Sequence, residues 1–180
     1  MSVPVRATVI AAALLAFATA PSFADDPVDC SKGDVAAGPA KGTVNGAPFV
    51  IEHVTIDPND KRTQNGITFD EYHIYLVDKG GLEVDFTAIT VTGKLPDGRT
   101  FRSGLNGDEP EAGPGSPEIQ GWGINDKANN VEINFFEVQD GSLQVVFGSR
   151  EGKSLPATIH FCVPSKSTEL SGSFTVPLSW

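Results

Sequence analysis

Basic residues are scarce in this chain: 13 Lys and Arg stand against 23 Asp and Glu, a formal charge of −10 over 180 residues. Binding to nucleic acid needs clustered Lys and Arg on the phosphates, so that class of partner is not expected. No apolar run reaches the roughly 18 residues that mark a membrane-spanning helix. The G-x-S-x-G elbow, H-E-x-x-H, the Walker loop and the Rossmann glycine pattern are all missing, which removes the hydrolase, metalloprotease and nucleotide-binding classes that carry local signatures. Cysteine is limited to two residues, Cys30 and Cys162. Disorder is also excluded, because 39% of the residues are apolar and can build a core.

What the chain does have begins with an address. Arg6 precedes an Ala- and Leu-rich stretch from Ala7 to Ala20, the layout of a secretory signal peptide. Ser22 and Ala24 supply small residues three and one positions before a cut ahead of Asp25. The expectation is a signal peptide over 1–24, an extended arm over 25–41 and one domain over 42–180. Export makes an even cysteine count read as one disulfide, Cys30 to Cys162. Ile159 and Phe161 alternate with Cys162, so the sulfur is expected on the outer face of its strand, within reach of the arm.

The domain reads as short alternating runs between turn signals. Asn45-Gly46 is a two-residue hairpin signal between Thr43-Val44 and a run from Pro48 to Ile56. Pro48 cannot donate to a ladder, so it should face an open side or begin the strand late. Strands follow at Ile67 to Val77, Leu82 to Thr92, Arg99 to Ser103, Ile119 to Ile124 and Val131 to Gln139. Leu143 to Ser149, Leu155 to Val163 and Ser171 to Trp180 complete the set. Pro96-Asp97-Gly98, Asp140-Gly141 and Glu151-Gly152 are the turns between them. Beyond the signal peptide no segment carries apolar spacing of three and four over ten residues, so no long helix is expected. The predicted fold is all-β, a single antiparallel sandwich of about nine or ten short strands. Long loops are expected at 57–66 and 105–118.

Candidate chemistry is thin. His53, His73 and His160 lie in separate strands, with no second histidine two or four residues away to form a metal pair. Asp57 and Asp60, with Asn59 between them, and then Asp108, Glu109 and Glu111 are the hard-oxygen groups available to Ca²⁺, in neither case with EF-hand spacing. No other cofactor is expected. Asp70, Glu71, Asp85 and Glu132 are strand carboxylates from which a glycosidase pair could be drawn. Tyr75, on the polar side of its strand, and Trp122, between Gly121 and Gly123, are the aromatic candidates for a ligand platform.

The C-terminal alternation of Phe174, Val176, Leu178 and Trp180 resembles the terminal signal of bacterial outer-membrane β-barrels. Pro177 inside that run, and strands shorter than a membrane needs, oppose the barrel. The function expected is therefore a secreted or periplasmic, non-enzymatic binding or structural domain, with a glycan, a cell-envelope component or a protein as ligand. A small hydrolase with a carboxylate pair is the first alternative, and an eight-stranded outer-membrane barrel is the second.

Overall fold

The computed structural model describes Cys30 and residues 36–64, 66–91, 98, 100–103, 118–134, 137–138 and 140–178. The signal-peptide region, the acidic group Asp108, Glu109 and Glu111, and Pro96-Asp97 lie outside the described residues. So does Trp180.

Among the described residues eleven strands follow one another: β1 (Lys41–Val44), β2 (Ala47–Val50), β3 (His53–Gln64), β4 (Ile67–Val77), β5 (Leu82–Val91), β6 (Thr100–Ser103), β7 (Glu118–Asp126), β8 (Val131–Asn134), β9 (Ser142–Phe147), β10 (Ser154–Val163) and β11 (Thr168–Pro177). They form two antiparallel sheets. One runs β2-β1-β11-β10-β9-β6, the other β3-β4-β5-β7-β8. Each described sheet has two edge strands, so the strands make a two-layer β-sandwich and not one closed barrel. The side-chain distribution agrees, because the apolar residues point between the sheets, whereas a membrane barrel points them outward.

Period-two alternation produces this arrangement directly. In β4, Tyr72, Ile74 and Leu76 are buried, and in β5 so are Leu82, Val84, Phe86 and Ala88. From the other sheet Leu155, Ala157, Ile159 and Phe161 of β10 and Phe174 and Val176 of β11 face them, and Leu178 extends the row. The Phe161 ring meets the Trp122 indole edge to face across the sandwich, with centroids 4.9 Å apart.

Two turns with the same sequence signal behave differently. Asn45 (φ 51°) and Gly46 (φ 75°) are both left-handed, as a tight hairpin between β1 and β2 requires. Asp140-Gly141 is not such a turn, which corrects the sequence expectation: it lies where the chain passes from β8 in one sheet to β9 in the other. Gly141 is needed for space, because a Cβ there would run into the Trp122 ring. Asp140 instead accepts hydrogen bonds from Ser165 N (2.7 Å) and Ser165 Oγ (2.8 Å), fixing the turn between β10 and β11.

The expected loop over 57–66 is also corrected. β3 continues through Gln64, paired with β4 across a register shift between Pro58 and Lys61. A bulge accommodates Pro58 within the paired strand, and the polar residues that suggested a loop lie along it. Conversely, the run from Pro48 to Ile56 is two strands, broken at Ile51 and Glu52 where the chain changes sheets. Pro48 does sit on an edge strand, β2.

Candidate functional site

The disulfide ties the arm to the six-stranded sheet. Cys30 and Cys162 are bonded, with Cα atoms 5.7 Å apart. Cys162 lies on the side of β10 opposite Ile159 and Phe161, yet it is fully buried, because the bond brings the arm over it. Ala36 N donates to Ser171 Oγ (2.8 Å), and Ser173 N donates to Gly38 O (2.7 Å). His160, opposite Ser171 in register, is almost wholly buried on this side. The outward residues of β9, β10 and β11 are Ser142, Gln144 and Val146; Ser154, Pro156, Thr158, His160 and Cys162; and Glu169, Ser171, Ser173, Thr175 and Pro177. Apart from the histidine, Glu169 is the single ionisable side chain among them. A shallow groove of about 440 Å³ runs between Pro39, Val146, Pro156 and Thr175.

The outer face of the five-stranded sheet is different in kind. Cross-strand register builds two adjacent rows. One runs Thr55, Tyr75, Asp85, Gly123, Asn134, and the other Asp57, His73, Thr87, Gly121. Glu71, Glu83 and Glu132 stand on the same face by alternation. Thr87 Oγ1 and His73 Nδ1 are 3.3 Å apart and share a hydrogen bond. The glycines of β7 leave part of the face bare. A methyl group on Gly123 would lie 2.6 Å from Asp85 Oδ2, so the absent side chain makes room for the carboxylate, while one on Gly121 would meet nothing within 4 Å.

Partial burial is the main cause of the raised Asp85 pKa; the Glu83 and Glu132 carboxylates add to it and His73 opposes it. Tyr75 is likewise pushed above the usual phenol value, first by burial and then by Asp85, Asp57 and Glu83. Lys127, in the β7–β8 turn, reaches Glu83 at 3.5 Å and is largely exposed. The Asp85 carboxylate has no ion pair or hydrogen bond among the described residues. The face therefore offers hydrogen-bond acceptors with little cationic compensation.

Of the two aromatic candidates, Tyr75 lies on this face and Trp122 does not. The indole is 3% exposed and points into the core. Its glycine neighbours alternate to the opposite side, so they bare the outer sheet face and leave the ring covered by Phe161 and Gly141. Among the carboxylates, Glu71, Asp85 and Glu132 share the face, whereas Asp70 lies on the other side of β4, in register with buried Thr90. Asp57 stands beside His73, and Asp60 is described only as part of the β3 backbone. Among the described residues no three His, Cys, Asp or Glu side chains are gathered to hold a metal ion.

The sequence reading did not assemble Tyr75, His73, Asp85 and Thr87 into one patch. The signal was present in the short connection from Asp78 to Gly81, which sets β4 against β5 and puts 75 opposite 85 and 73 opposite 87. Comparison of the chain with protein-family models, with curated proteins and with solved structures gives no match.

Proposed function

We propose that this is an exported, non-enzymatic binding domain that seats an extracytoplasmic ligand on the outer face of β3, β4, β5, β7 and β8. The observation that carries the reading is the patch of Tyr75, His73, Asp85 and Thr87 beside bare Gly121. A ring, carboxylate acceptors and an open floor suit a ligand that stacks and donates hydrogen bonds, and an envelope glycan rich in hydroxyls is the first choice. Export rests on Arg6, the Ala7 to Ala20 core and the cut after Ala24, and the disulfide supports it because such bonds persist in oxidising compartments.

One observation favours a second reading, the carboxylate-pair hydrolase: Asp85 has a raised pKa with Glu132 contributing to it. The two residues stand on one face with β7 between their strands and two residues out of register, about 12 Å apart at the backbone by strand spacing and rise. A glycosidase pair flanks its bond from opposite sides, so the arrangement supports binding over cleavage.

Titration calorimetry with solubilised envelope glycan fragments tests both readings. Binding that is lost in Tyr75→Ala and weakened in Asp85→Asn is expected. Binding untouched by both changes, or fragments shortened during the titration, would overturn it.

A further inference from the structure

We propose that His73 makes binding on the outer face of the five-stranded sheet pH-dependent: the neutral imidazole leaves the carboxylates free to accept from a glycan, and the protonated ring occupies them. The inference rests on the reading of this face as the binding surface and adds its regulation.

His73 stands at the centre of the face. By register it is opposite Asp57 on β3 and Thr87 on β5. Along β4 its outward neighbours are Glu71 and Tyr75, and Asp85, which pairs with Tyr75, is its diagonal neighbour on β5. Directly opposed residues have Cβ atoms about 5 Å apart and diagonal ones about 7 Å, which an imidazole and a carboxylate can span. β7 brings no charge to this spot, since Gly121 is the residue opposite Thr87. The other ionisable residues of the face lie further out. His53, Glu83 and Glu132 share the row of Val77, Arg62 is opposite Phe69, and Lys127 reaches Glu83 at 3.5 Å.

The bond to Thr87 decides what protonation does. Thr87 Oγ1 is 3.3 Å from His73 Nδ1, and among the described residues no other group bonds to the ring. A neutral imidazole has one N–H and one bare nitrogen, so the pair with Thr87 makes no demand on the carboxylates. A protonated ring carries N–H on both nitrogens. Nδ1 then donates to Thr87, and the second N–H needs an acceptor. Asp57, Glu71 and Asp85 are the nearest by register, and Asp85 is one that the bound glycan uses. Charge acts in the same direction, because a cation at the centre cancels part of the negative field that attracts donors. Asp85, raised mainly by burial, already responds to His73, whose charge acts to lower it. Histidine changes charge between about pH 5 and 8, so affinity falls as pH falls through that range.

The test is a calorimetric titration with a neutral N-acetylglucosamine oligomer, which has no group that titrates in this range, at about pH 7.5 and about pH 5.5. The wild-type protein should bind about threefold or more weakly at the lower pH, the size of an exposed charge pair's contribution. His73→Gln keeps a group that can bond to Thr87 but never takes a charge. It is judged by the ratio of its two affinities, which should lose the pH dependence whatever its absolute binding. The protein without glycan gives a second readout: the amide shifts of Asp57, Asp85 and Thr87 should follow the His73 ring through one transition, and His73→Gln should abolish it. A pH dependence that persists in His73→Gln would assign it to Asp85 and overturn the proposal. Equal wild-type affinities at the two pH values, or a ring transition with no response at Asp57 and Asp85, would overturn it and leave the binding surface standing. Binding at neither pH would overturn the reading of the face and the regulation with it.

Discussion

The two outer faces of the sandwich are built with the same alternation, yet they carry different residues and different cover. On the six-stranded sheet the arm is tied to Cys162 by the disulfide and hydrogen-bonded to Ser171 and Ser173, and the outward residues of the central strands are mostly Ser, Thr and Pro. On the five-stranded sheet the corresponding surface carries Asp57, Glu71, Glu83, Asp85 and Glu132 with Tyr75 and His73. The difference shows how a core pattern leaves the outer faces free. Period two fixes what points inward, and the outward positions can then differ, one side tied to the arm and the other left open and acidic.

Four changes would break or sharpen this contrast, from the largest expected effect to the smallest. Cys30→Ser releases a covalent tie spanning 132 residues of sequence. Stability to urea should fall by about 4 kcal/mol, and the arm should become a site of proteolysis. The amide shifts of Tyr75 and Asp85 on the far face should not move.

Glycine substitutions next separate a position packed against the arm from one on the open face. Gly172 has φ +135°, and a Cβ there would come within 2.6 Å of Ala40 Cα beneath the arm. Gly172→Ala should cost about 2 kcal/mol or more through strain and overpacking. Gly121→Ala meets open space on the bare face and should stay within about 0.5 kcal/mol. Equal losses in the two variants would erase the distinction between a position packed against the arm backbone and one on an open face.

The third change concerns pH. Asp85 is raised above its ordinary value of 3.8, mainly by burial. Between the unfolded and folded values the folded chain holds the extra proton, so this carboxyl makes stability fall as pH rises through that window. Asp126, at the end of β7, behaves oppositely. Hydrogen bonds from Asn129, with Nδ2 at 2.7 Å and N at 3.1 Å, lower its value, so its contribution is lost as pH falls through the folded value. Unfolding followed from pH 3 to 7 should show the Asp85 slope vanish in Asp85→Asn while the Asp126 slope remains. Last, Lys127→Ala removes the exposed pair with Glu83 at 3.5 Å and should change stability by no more than about 0.5 kcal/mol.

Much of the fold could be read from residue order alone. β4 was expected at Ile67 to Val77 and occupies those residues, and the inward set Phe174, Val176 and Leu178 is buried as its alternation implied. The Cys30–Cys162 bond followed from export, parity and the lack of anything else to hold the arm. The failures share a cause. The break at Ile51 and Glu52, the crossing at Asp140-Gly141 and the burial of Trp122 all depend on which sheet a segment joins. Local pattern does not encode that choice, because a strand looks the same in either layer. The continuation of β3 through Pro58 depends on a bulge against β4, a contact between chain segments that composition scores as loop. The candidate site was hidden for a related reason: its residues are scattered in the chain and meet only once β4, β5 and β7 are in register.

The central claim is that the bare face, and not the covered one, takes the ligand. Mapping amide shifts while titrating solubilised envelope glycan fragments tests it most directly. Perturbations concentrated at Tyr75, Asp85, Thr87, Gly121 and Gly123 are the predicted result. Perturbations concentrated instead around Val146, Pro156 and Thr158 on the six-stranded sheet, or none at all, would contradict it.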